Sequence, residues 1–299
     1  MNYVNVKKLI IVCGKKTSRY KNNYTIYFYK IFMLNNLSKL LRLLKTFIIY
    51  VSMPFRILLI IFIFIFGIYV LKFLKQESDI TACLLMMGKL IIYTLSMKII
   101  ISKEDYDKYM EYLYGDEKFI CLFTHQTLID SVLMLATFPR SAPIMNKQSE
   151  FKYINFDDET INKLGGIFIT INTKSNTIEK IKQKVENRKS GTPPLFIGPS
   201  GGFSSQIPGN ISKFKGNGAF INKTKILPIL IKFEDETLNY NGDYGESMIH
   251  SYLKLFLVEN YKIKIALGDM IEPDESETYL EYKERVYHII NQQYKNLKI

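Results

Sequence analysis

Cysteine, histidine and, in the first quarter of the chain, acidic residues are scarce in this 299-residue sequence. The three cysteines, Cys13, Cys83 and Cys121, are odd in number and widely separated, which argues against a disulfide framework and agrees with a reducing compartment. With only three histidines, no local spacing typical of a zinc site can be assembled, so we expect no bound metal. The sequence also has no internal repeat and no low-complexity linker.

The absence of acidic residues is confined to the N-terminal region. The first acid is Glu77, and the 76 residues before it carry 13 of the 40 Lys and Arg. The rest of the chain has 27 basic against 28 acidic residues, so the excess behind the net charge of +12 lies in the first quarter. This basic excess surrounds apolar sequence, which favours anionic lipid head groups over nucleic acid as the partner. We therefore expect a membrane partner and no nucleic acid.

The same region contains the most apolar run of the chain, from Ile57 to Leu71. As a helix its 15 residues span about 22 Å, less than a hydrocarbon core of about 30 Å. A second apolar piece lies at Phe47 to Met53, and Pro54 predicts a kink or break between them. One tilted transmembrane helix and two short helices in a single leaflet both fit. Basic and aromatic residues favour membrane contact over a buried core helix, and the position of the run is not typical of a signal peptide.

After residue 76 the pattern changes from basic and apolar to mixed. The stretch from Ile80 to Ile101 predicts a mostly apolar helix, and the next residues predict a short polar helix that ends at Gly115. We therefore divide the chain into a basic N-terminal region with membrane-associated helices, residues 1–76, and a larger domain, residues 77–299.

Six short apolar runs follow Gly115 and are typical of buried strands. They are FICLF from Phe119, APIM from Ala142, GIFITI from Gly166, PLFIG from Pro194, ILPILI from Ile226 and KIKIAL from Lys262. Helical patterns occupy residues 127–137, 177–189, 246–258 and 276–297. Apolar strands that alternate with helices indicate an α/β fold, in which helices cover both faces of a mostly parallel sheet.

His125 and Asp130 stand at the end of the first of these strands. On one continuous helix their side chains would point about 140° apart, because five residues correspond to about 500° of rotation. They meet only if His125 lies in the loop and Asp130 in the first helical turn. Thr127 as helix N-cap, with Asp130 three residues later as in a capping box, predicts that arrangement. The pair is then an acid–base dyad, or else Asp130 only caps the helix and His125 is a polar residue at a strand end.

Gly198, Ser200 and Gly202 fit the pattern G-x-S-x-G, in which hydrolases hold a nucleophilic serine on a strand-to-helix turn. Such a serine needs a helix directly after it and a later histidine that an acid orients. The residues that follow are rich in glycine and asparagine, and His250 and His288 lie in helical patterns. We therefore interpret the stretch as a glycine loop whose backbone N–H groups bind an anion, with Ser200 as nucleophile the alternative.

The segments HQTLID, GGIFIT, FIGPSGGFSS, FKGNGAF and ILPILI follow one another between residues 119 and 232. In order and spacing they resemble the motif blocks of the glycerolipid acyltransferase family, which includes the lysophosphatidic acid and lysophospholipid acyltransferases with the HxxxxD motif. The resemblance implies a glycerol-3-phosphate acyltransferase-like fold for residues 77–299, with acyl-CoA as donor substrate and no separate cofactor. It also implies that His125 deprotonates an acceptor hydroxyl and that Asp130 orients the histidine.

The sequence departs from the family pattern where the resemblance places the substrate contacts. Thr170 and Ile171 stand at the family's Asp and Arg, and Ser200 and Phe203 at its Glu and second Arg. Arginine is the usual ligand of a substrate phosphate, so other groups must replace it here. We expect the substrate to contact Thr170, Lys174, Ser200, Gly201, Gly202, Ser204, Lys213 and Lys215.

Together these features predict a membrane-associated O-acyltransferase that moves a fatty acyl group from acyl-CoA to a lysophospholipid or an acceptor similar to lysophosphatidic acid. The basic flanks of the apolar run predict a site on the cytoplasmic face of the endoplasmic reticulum or an equivalent internal membrane. Two alternatives stay open. One is a relative that binds lipid without catalysis, motivated by the departures from the family pattern, and the other is a serine hydrolase that uses Ser200.

Overall fold

The computed structural model describes residues 18–127, 129–146, 166–169, 177–200, 209–235, 238, 247–257 and 260–299. The chain divides into two compact units, Met1–Ser52 and Met53–Ile299. The predicted division between residues 76 and 77 concerns charge and function rather than compactness, and it stays a prediction.

A single helix, α1, runs from Ser18 to Phe73 with Pro54 inside it. The helix continues through Pro54, so of the predicted kink or break the break is wrong, while the kink stays a prediction. A proline removes one helical hydrogen bond, but the leucine-, isoleucine- and phenylalanine-rich residues around it continue the helix on both sides. Within the described residues, the part from Lys39 to Phe73 is the one helix long and apolar enough to cross a membrane. Its most exposed apolar side chains include Leu43, Phe47, Phe55, Leu58 and Phe73.

The predicted helix from Ile80 to Ile101 is in fact a helix and a strand. Helix α2 spans Glu77–Thr94, and strand β1 spans Met97–Ile100. Between them Ser96 takes a left-handed backbone conformation with φ of 55°, which ends the helix and turns the chain into the sheet. The apolar stretch is continuous in sequence, so periodicity alone did not separate the two elements.

The remaining predictions of secondary structure are confirmed apart from small shifts at element ends. Helix α3 spans Lys103–Tyr114, where Ser102 accepts the N–H of Asp105 at its start and Gly115 follows its end. The strands are β2 Phe119–Phe123, β3 Ala142–Asn146, β4 Ile167–Ile169, β5 Leu195–Ile197, β6 Lys225–Phe233 and β7 Tyr261–Leu267. The helices are α4 Asp130–Thr137, α5 Thr177–Glu186, α6 Met248–Phe256 and α7 Tyr279–Asn296.

The strands of the described residues form one seven-stranded sheet in the order β1-β7-β6-β2-β5-β3-β4. Neighbouring strands are parallel except for β6 and β7, so the predicted mostly parallel sheet is confirmed. Strand β2 lies between β5 and β6, and all three run in the same direction. Their carboxyl ends therefore meet at one edge of the sheet, where α/β proteins place their sites.

Helices cover both faces of the sheet, as the α/β prediction requires. Along β2 the side chains alternate between two separate cores. Phe119, Cys121 and Phe123 belong to the core that includes residues of α2, α3 and α4. Ile120 and Leu122 belong to the core that includes residues of α5 and α7. Because all five β2 side chains are buried, each face contributes hydrophobic free energy, and β2 is a rigid support for the loop that follows it.

Candidate active site

The chain leaves the sheet at Thr124, directly after β2. The Thr124 N–H donates to Ile229 O at 3.0 Å. Its hydroxyl donates to Ile231 O at 3.2 Å and accepts the Ile231 N–H at 2.7 Å. The side chain thus continues the hydrogen bonding between β2 and β6 while the backbone turns away. His125 begins a loop at the carboxyl edge of the sheet, as the sequence predicts.

His125 and Asp130 meet in that loop. His125 Nδ1 lies 3.0 Å from Asp130 Oδ2, with the histidine side chain 14% exposed and the aspartate fully buried. Asp130 is the first residue of α4, so the predicted placement of one residue in the loop and the other in the first helical turn is confirmed. A carboxylate only accepts, which assigns the proton of this contact to Nδ1. The lone pair of the neutral ring then lies on Nε2.

Protein donors surround the Asp130 carboxylate. Besides His125, Oδ2 accepts the backbone N–H groups of Gln126 at 2.5 Å and Thr127 at 2.8 Å. Oδ1 accepts the hydroxyl of Thr127 at 2.5 Å. A buried carboxylate is costly unless it is hydrogen-bonded, and these donors supply that compensation.

The predicted N-cap is wrong, since the residue before α4 is Ile129 and it makes no side-chain cap. Thr127 does not accept the Asp130 N–H on its side chain; that N–H points to the Thr127 carbonyl at 3.4 Å. Only the second half of the predicted capping box is present, because Asp130 Oδ2 accepts the Thr127 N–H. The Thr127 hydroxyl instead donates to Asp130 Oδ1.

Two residues hold the imidazole from its sides. The ring of Phe123 meets the His125 ring edge-on, with centroids 5.1 Å apart. Gly198, directly after β5, lies so close that a Cβ atom there would be 2.9 Å from His125 Cδ2 and 3.1 Å from Cγ. Sequence reasoning did not include Gly198 among the site residues, although it is the first glycine of the G-x-S-x-G match. A glycine is needed at position 198 because the His125 ring lies against it, and not because the backbone makes a special turn.

A small pocket opens beside the histidine, and its walls include His125, Pro199, Ser200, Ile211, Ser212 and Phe214. Its volume is about 10 Å³, comparable to the space that one water molecule occupies. Ser200 and Ser212 are both buried there, at 3% and 5% exposed. Among the described residues the Ser212 hydroxyl has no hydrogen-bond partner. Sequence reasoning missed Ser212, because nothing in its local pattern separates it from a loop serine.

The glycine loop, residues 198–218, has its two described ends in contact. Pro199 O accepts the N–H groups of Lys215 at 3.1 Å and Gly216 at 3.3 Å. This contact brings the return of the loop next to Ser200, while the side chains of Lys213 and Lys215 are exposed. The other predicted substrate contacts lie outside the described residues and stay predictions: Thr170, Lys174, Gly201, Gly202 and Ser204.

The other described histidines lie away from this pocket. His250 is exposed on α6. His288 is exposed on α7, where its Nε2 lies 3.1 Å from Glu284 Oε1. Neither histidine lines the pocket of Ser200, so the histidine next to that serine is His125. In the described ranges no three His, Cys, Asp or Glu side chains converge in a way that could hold a metal ion.

A mostly parallel sheet with a partly exposed histidine and a buried aspartate in contact at its carboxyl edge is suited to acid–base chemistry on a bound substrate. Residues 106–232 match the model of the Acyltransferase family. The resemblance found in the sequence is thereby confirmed.

The fold agrees with this assignment. The chain is similar to the crystal structure of the 1-acyl-sn-glycerophosphate (LPA) acyltransferase PlsC from Thermotoga maritima, with a TM-score of 0.58 and 17% sequence identity. The similarity covers 85% of this chain and 96% of that chain. No curated protein matches the sequence significantly.

Proposed function

We propose that the protein is a membrane-associated O-acyltransferase that moves a fatty acyl group from acyl-CoA to the hydroxyl of a lysophospholipid or an acceptor similar to lysophosphatidic acid. The observation that carries the proposal is the 3.0 Å contact between His125 Nδ1 and Asp130 Oδ2 inside a domain of the Acyltransferase family. The solved structure of similar fold is an acyltransferase for 1-acyl-sn-glycerophosphate, which supports a glycerolipid acceptor.

In the proposed reaction the acceptor hydroxyl gives its proton to Nε2 of His125 while its oxygen attacks the thioester carbonyl of the acyl donor. Asp130 holds the Nδ1–H and stabilises the imidazolium that forms. The tetrahedral intermediate then breaks its C–S bond, and the leaving thiolate takes the proton from Nε2. The products are the acylated lipid and free coenzyme A, and no covalent enzyme intermediate is needed.

The hydroxyl of Ser212, which has no hydrogen-bond partner among the described residues, supports a binding role beside the histidine. A buried hydroxyl without a partner destabilises the fold, and such groups are often retained because a ligand uses them. We assign Ser212 to an oxygen of the substrate. Without the family's two arginines, contact with a substrate phosphate falls to the loop from Ser200 onward and to Lys213 and Lys215.

The membrane part of the proposal rests on α1. From Lys39 to Phe73 the helix is long and apolar enough to cross a bilayer, and many of its large apolar side chains are exposed. A bilayer supplies the apolar surroundings that these side chains lack in water. The cytoplasmic face and an internal membrane stay predictions from the basic flanks.

Acyl transfer in membranes that contain the full chain tests the proposal. Labelled acyl-CoA is followed with a panel of lysolipid acceptors, and an acyl-carrier-protein thioester serves as a second donor. The variants are His125→Ala and Ser200→Ala, with His288→Ala as matched control, because His288 is an exposed histidine that contacts Glu284.

We expect transfer to be lost in His125→Ala and retained in Ser200→Ala and His288→Ala. Loss in Ser200→Ala with release of free fatty acid from the wild type would instead indicate hydrolysis through Ser200. No turnover of either donor with any acceptor, combined with lipid binding, would favour the non-catalytic relative. Transfer from the carrier-protein thioester alone would correct the donor and leave the reaction class intact.

A further inference from the structure

Helix α7 contacts the histidine loop, the loop between β2 and α4 that carries His125, through one buried side chain. The hydroxyl of Tyr294 donates to Gln126 Oε1 at 2.9 Å, although the two residues are 168 positions apart. Tyr294 is 0% exposed and Gln126 is 1% exposed. Helix α7 lies outside residues 106–232, the part that matches the Acyltransferase family. The contact therefore comes from a part of the chain to which the family assignment gives no role.

Gln126 links helix α7 both to Asp130 and to the glycine loop. Its backbone N–H donates to Asp130 Oδ2, the oxygen that contacts His125. Its side-chain amide donates to the carbonyl of Asn210 at 3.3 Å, where the glycine loop returns. A displacement of Gln126 therefore disturbs the aspartate and the loop together.

A second contact of α7 holds the same loop. One turn before Tyr294, Asn291 accepts the N–H of Ile211 at 3.0 Å and donates to Asn210 Oδ1 at 3.2 Å. Ile211 lies next to Ser212 in the pocket wall. Helix α7 thus binds the histidine loop through Tyr294 and the glycine loop through Asn291.

The end of α7 is itself fixed to the sheet. Lys232 of β6 donates to the carbonyls of Tyr294 at 3.2 Å and Leu297 at 2.8 Å, and its ammonium lies 5.1 Å from the centre of the Tyr294 ring. A cation at a helix C-terminus satisfies carbonyls that have no helical partner. Because Lys232 follows Ile231, which binds Thr124, the same segment of β6 supports both the exit of β2 and the end of α7.

From these contacts we infer that Tyr294 is a positioning residue. Through its hydrogen bond to Gln126 it fixes the position of the His125–Asp130 pair relative to the glycine loop. The kinetic part of this inference rests on the proposed acyl transfer. The geometric part does not, since it concerns the orientation of His125 in the protein without substrate.

The test compares Tyr294→Phe with Tyr282→Phe in the full chain. Tyr282 is an equally buried tyrosine of α7 whose hydroxyl donates to the carbonyls of Thr224 and Ile271, so its loss removes a comparable contact away from the dyad. Histidine labelled with ¹⁵N reports the Nδ1-bound proton of His125 by NMR, and the presence of only three histidines keeps assignment simple. The His125→Ala variant identifies the signal.

In Tyr294→Phe we expect faster exchange of the His125 Nδ1 proton with water, and a kcat lowered about 10- to 100-fold with little change in KM. Tyr282→Phe should leave both unchanged. If Tyr294→Phe does not fold, the half-buried Asn291→Ala provides the second variant and should lower kcat in the same way.

An unchanged His125 signal in the folded variant, or an equal change in Tyr282→Phe, overturns the inference. If the wild type transfers no acyl group but the signal responds as expected, the proposed function fails while the positioning role stands.

Discussion

His125 Nδ1 and Asp130 Oδ2 lie 3.0 Å apart across a loop whose backbone also binds the carboxylate. The same oxygen accepts the N–H groups of Gln126 and Thr127. The aspartate therefore fixes the loop that carries the histidine as well as the imidazole ring. Local folding and the proposed chemistry depend on one carboxylate, so the two effects must be separated by experiment.

Replacement of Asp130 by asparagine separates them. The asparagine oxygen can accept the three N–H groups, while its amide donates to the Thr127 hydroxyl, which turns to accept. We therefore expect Asp130→Asn to fold but to lower kcat about 10³- to 10⁴-fold, because the charge that stabilises the imidazolium is lost. Steady-state acyl transfer and thermal unfolding on the same preparation measure both effects.

The control for this prediction is Thr127→Val, which removes the hydroxyl contact to Asp130 Oδ1 and keeps the charge. Loss of one hydrogen bond should change kcat less than about 10-fold. Wild-type activity in Asp130→Asn, or equal losses in the two variants, would contradict a role for the charge.

Gly198 offers a test of how tightly the imidazole is held. A methyl group there would lie 2.9 Å from His125 Cδ2, closer than real Cβ atoms approach, so the ring must move. We expect Gly198→Ala to lower kcat about 100-fold in a folded protein. Gly218→Ala is the control, since its methyl group would meet Ile181 at an ordinary 3.6 Å. Equal kcat values in the two glycine variants would show that the contact does not matter.

Replacement of Ser212 by alanine should keep or raise the stability of the protein and lower its activity. Its buried hydroxyl has no partner among the residues that the structure describes, so Ser212→Ala should keep or raise Tm. If the hydroxyl binds the substrate, kcat/KM should fall about 10-fold. Ser141→Ala removes another buried hydroxyl without a described partner, outside the pocket wall, and should leave kcat/KM unchanged. A fall in both variants would assign the effect to packing.

The strands and the dyad could be predicted because their determinants are local. Short apolar runs bounded by turns specify β2 to β7, and five residues suffice to place His125 in a loop and Asp130 in a helix. Strand β1 was missed because it continues the apolar pattern of α2. What ends that helix is the left-handed turn at Ser96 and the pairing of Met97 with Tyr261, far along the chain.

The contacts around the dyad could not be predicted for the same physical reason. Gly198, Ser212 and Tyr294 approach the histidine loop only after β5 pairs with β2 and α7 packs beside them. The neighbours of Ser212 and Tyr294 in the sequence give no sign of this proximity, and the motif around Gly198 does not show that this glycine contacts the histidine. Pro54 is the opposite case, because the helix continues on both sides of a residue that locally favours a break.

The ion pair between Glu277, just before α7, and Arg285 of α7 should make the stability of the fold depend on pH. Arg285 donates to Glu277 from two nitrogens, at 2.5 and 3.0 Å, and this contact lowers the pKa of Glu277. A lowered pKa stabilises the fold above the unfolded value of about 4.3, and the contribution is lost as pH falls through the folded value. We expect the Tm of the wild type to exceed that of Glu277→Gln at pH 7 and the difference to shrink between about pH 5 and pH 3.

Exposed Glu275 provides the control for the pH effect, and Glu275→Gln should differ little from the wild type at any pH. Thermal melts across this pH series distinguish the two carboxylates. A difference for Glu277→Gln that grows on acidification would have the wrong sign and would contradict the assignment.

Arg56 joins the apolar helix α1 to two other helix ends. Its guanidinium donates to the carbonyl of Thr94 at 2.7 Å and of Phe256 at 2.9 Å, the last residues of α2 and α6. A cation there satisfies carbonyls without helical partners and opposes the negative ends of both helix dipoles. Arg56→Met should therefore destabilise residues 53–299 by about 2 kcal/mol, a fall in Tm of about 4–8 °C.

Two further variants show whether the fall in Tm comes from the loss of the guanidinium N–H donors of Arg56. Arg56→Lys keeps the charge but cannot reach both carbonyls with the same planar geometry, so its Tm should lie between the wild type and Arg56→Met. Lys75→Met removes an exposed cation and should leave Tm within about 1 °C, because surface charges contribute little. If Arg56→Met melts like Lys75→Met, the two carbonyls are satisfied by water instead, and Arg56 does not hold α1 to the domain.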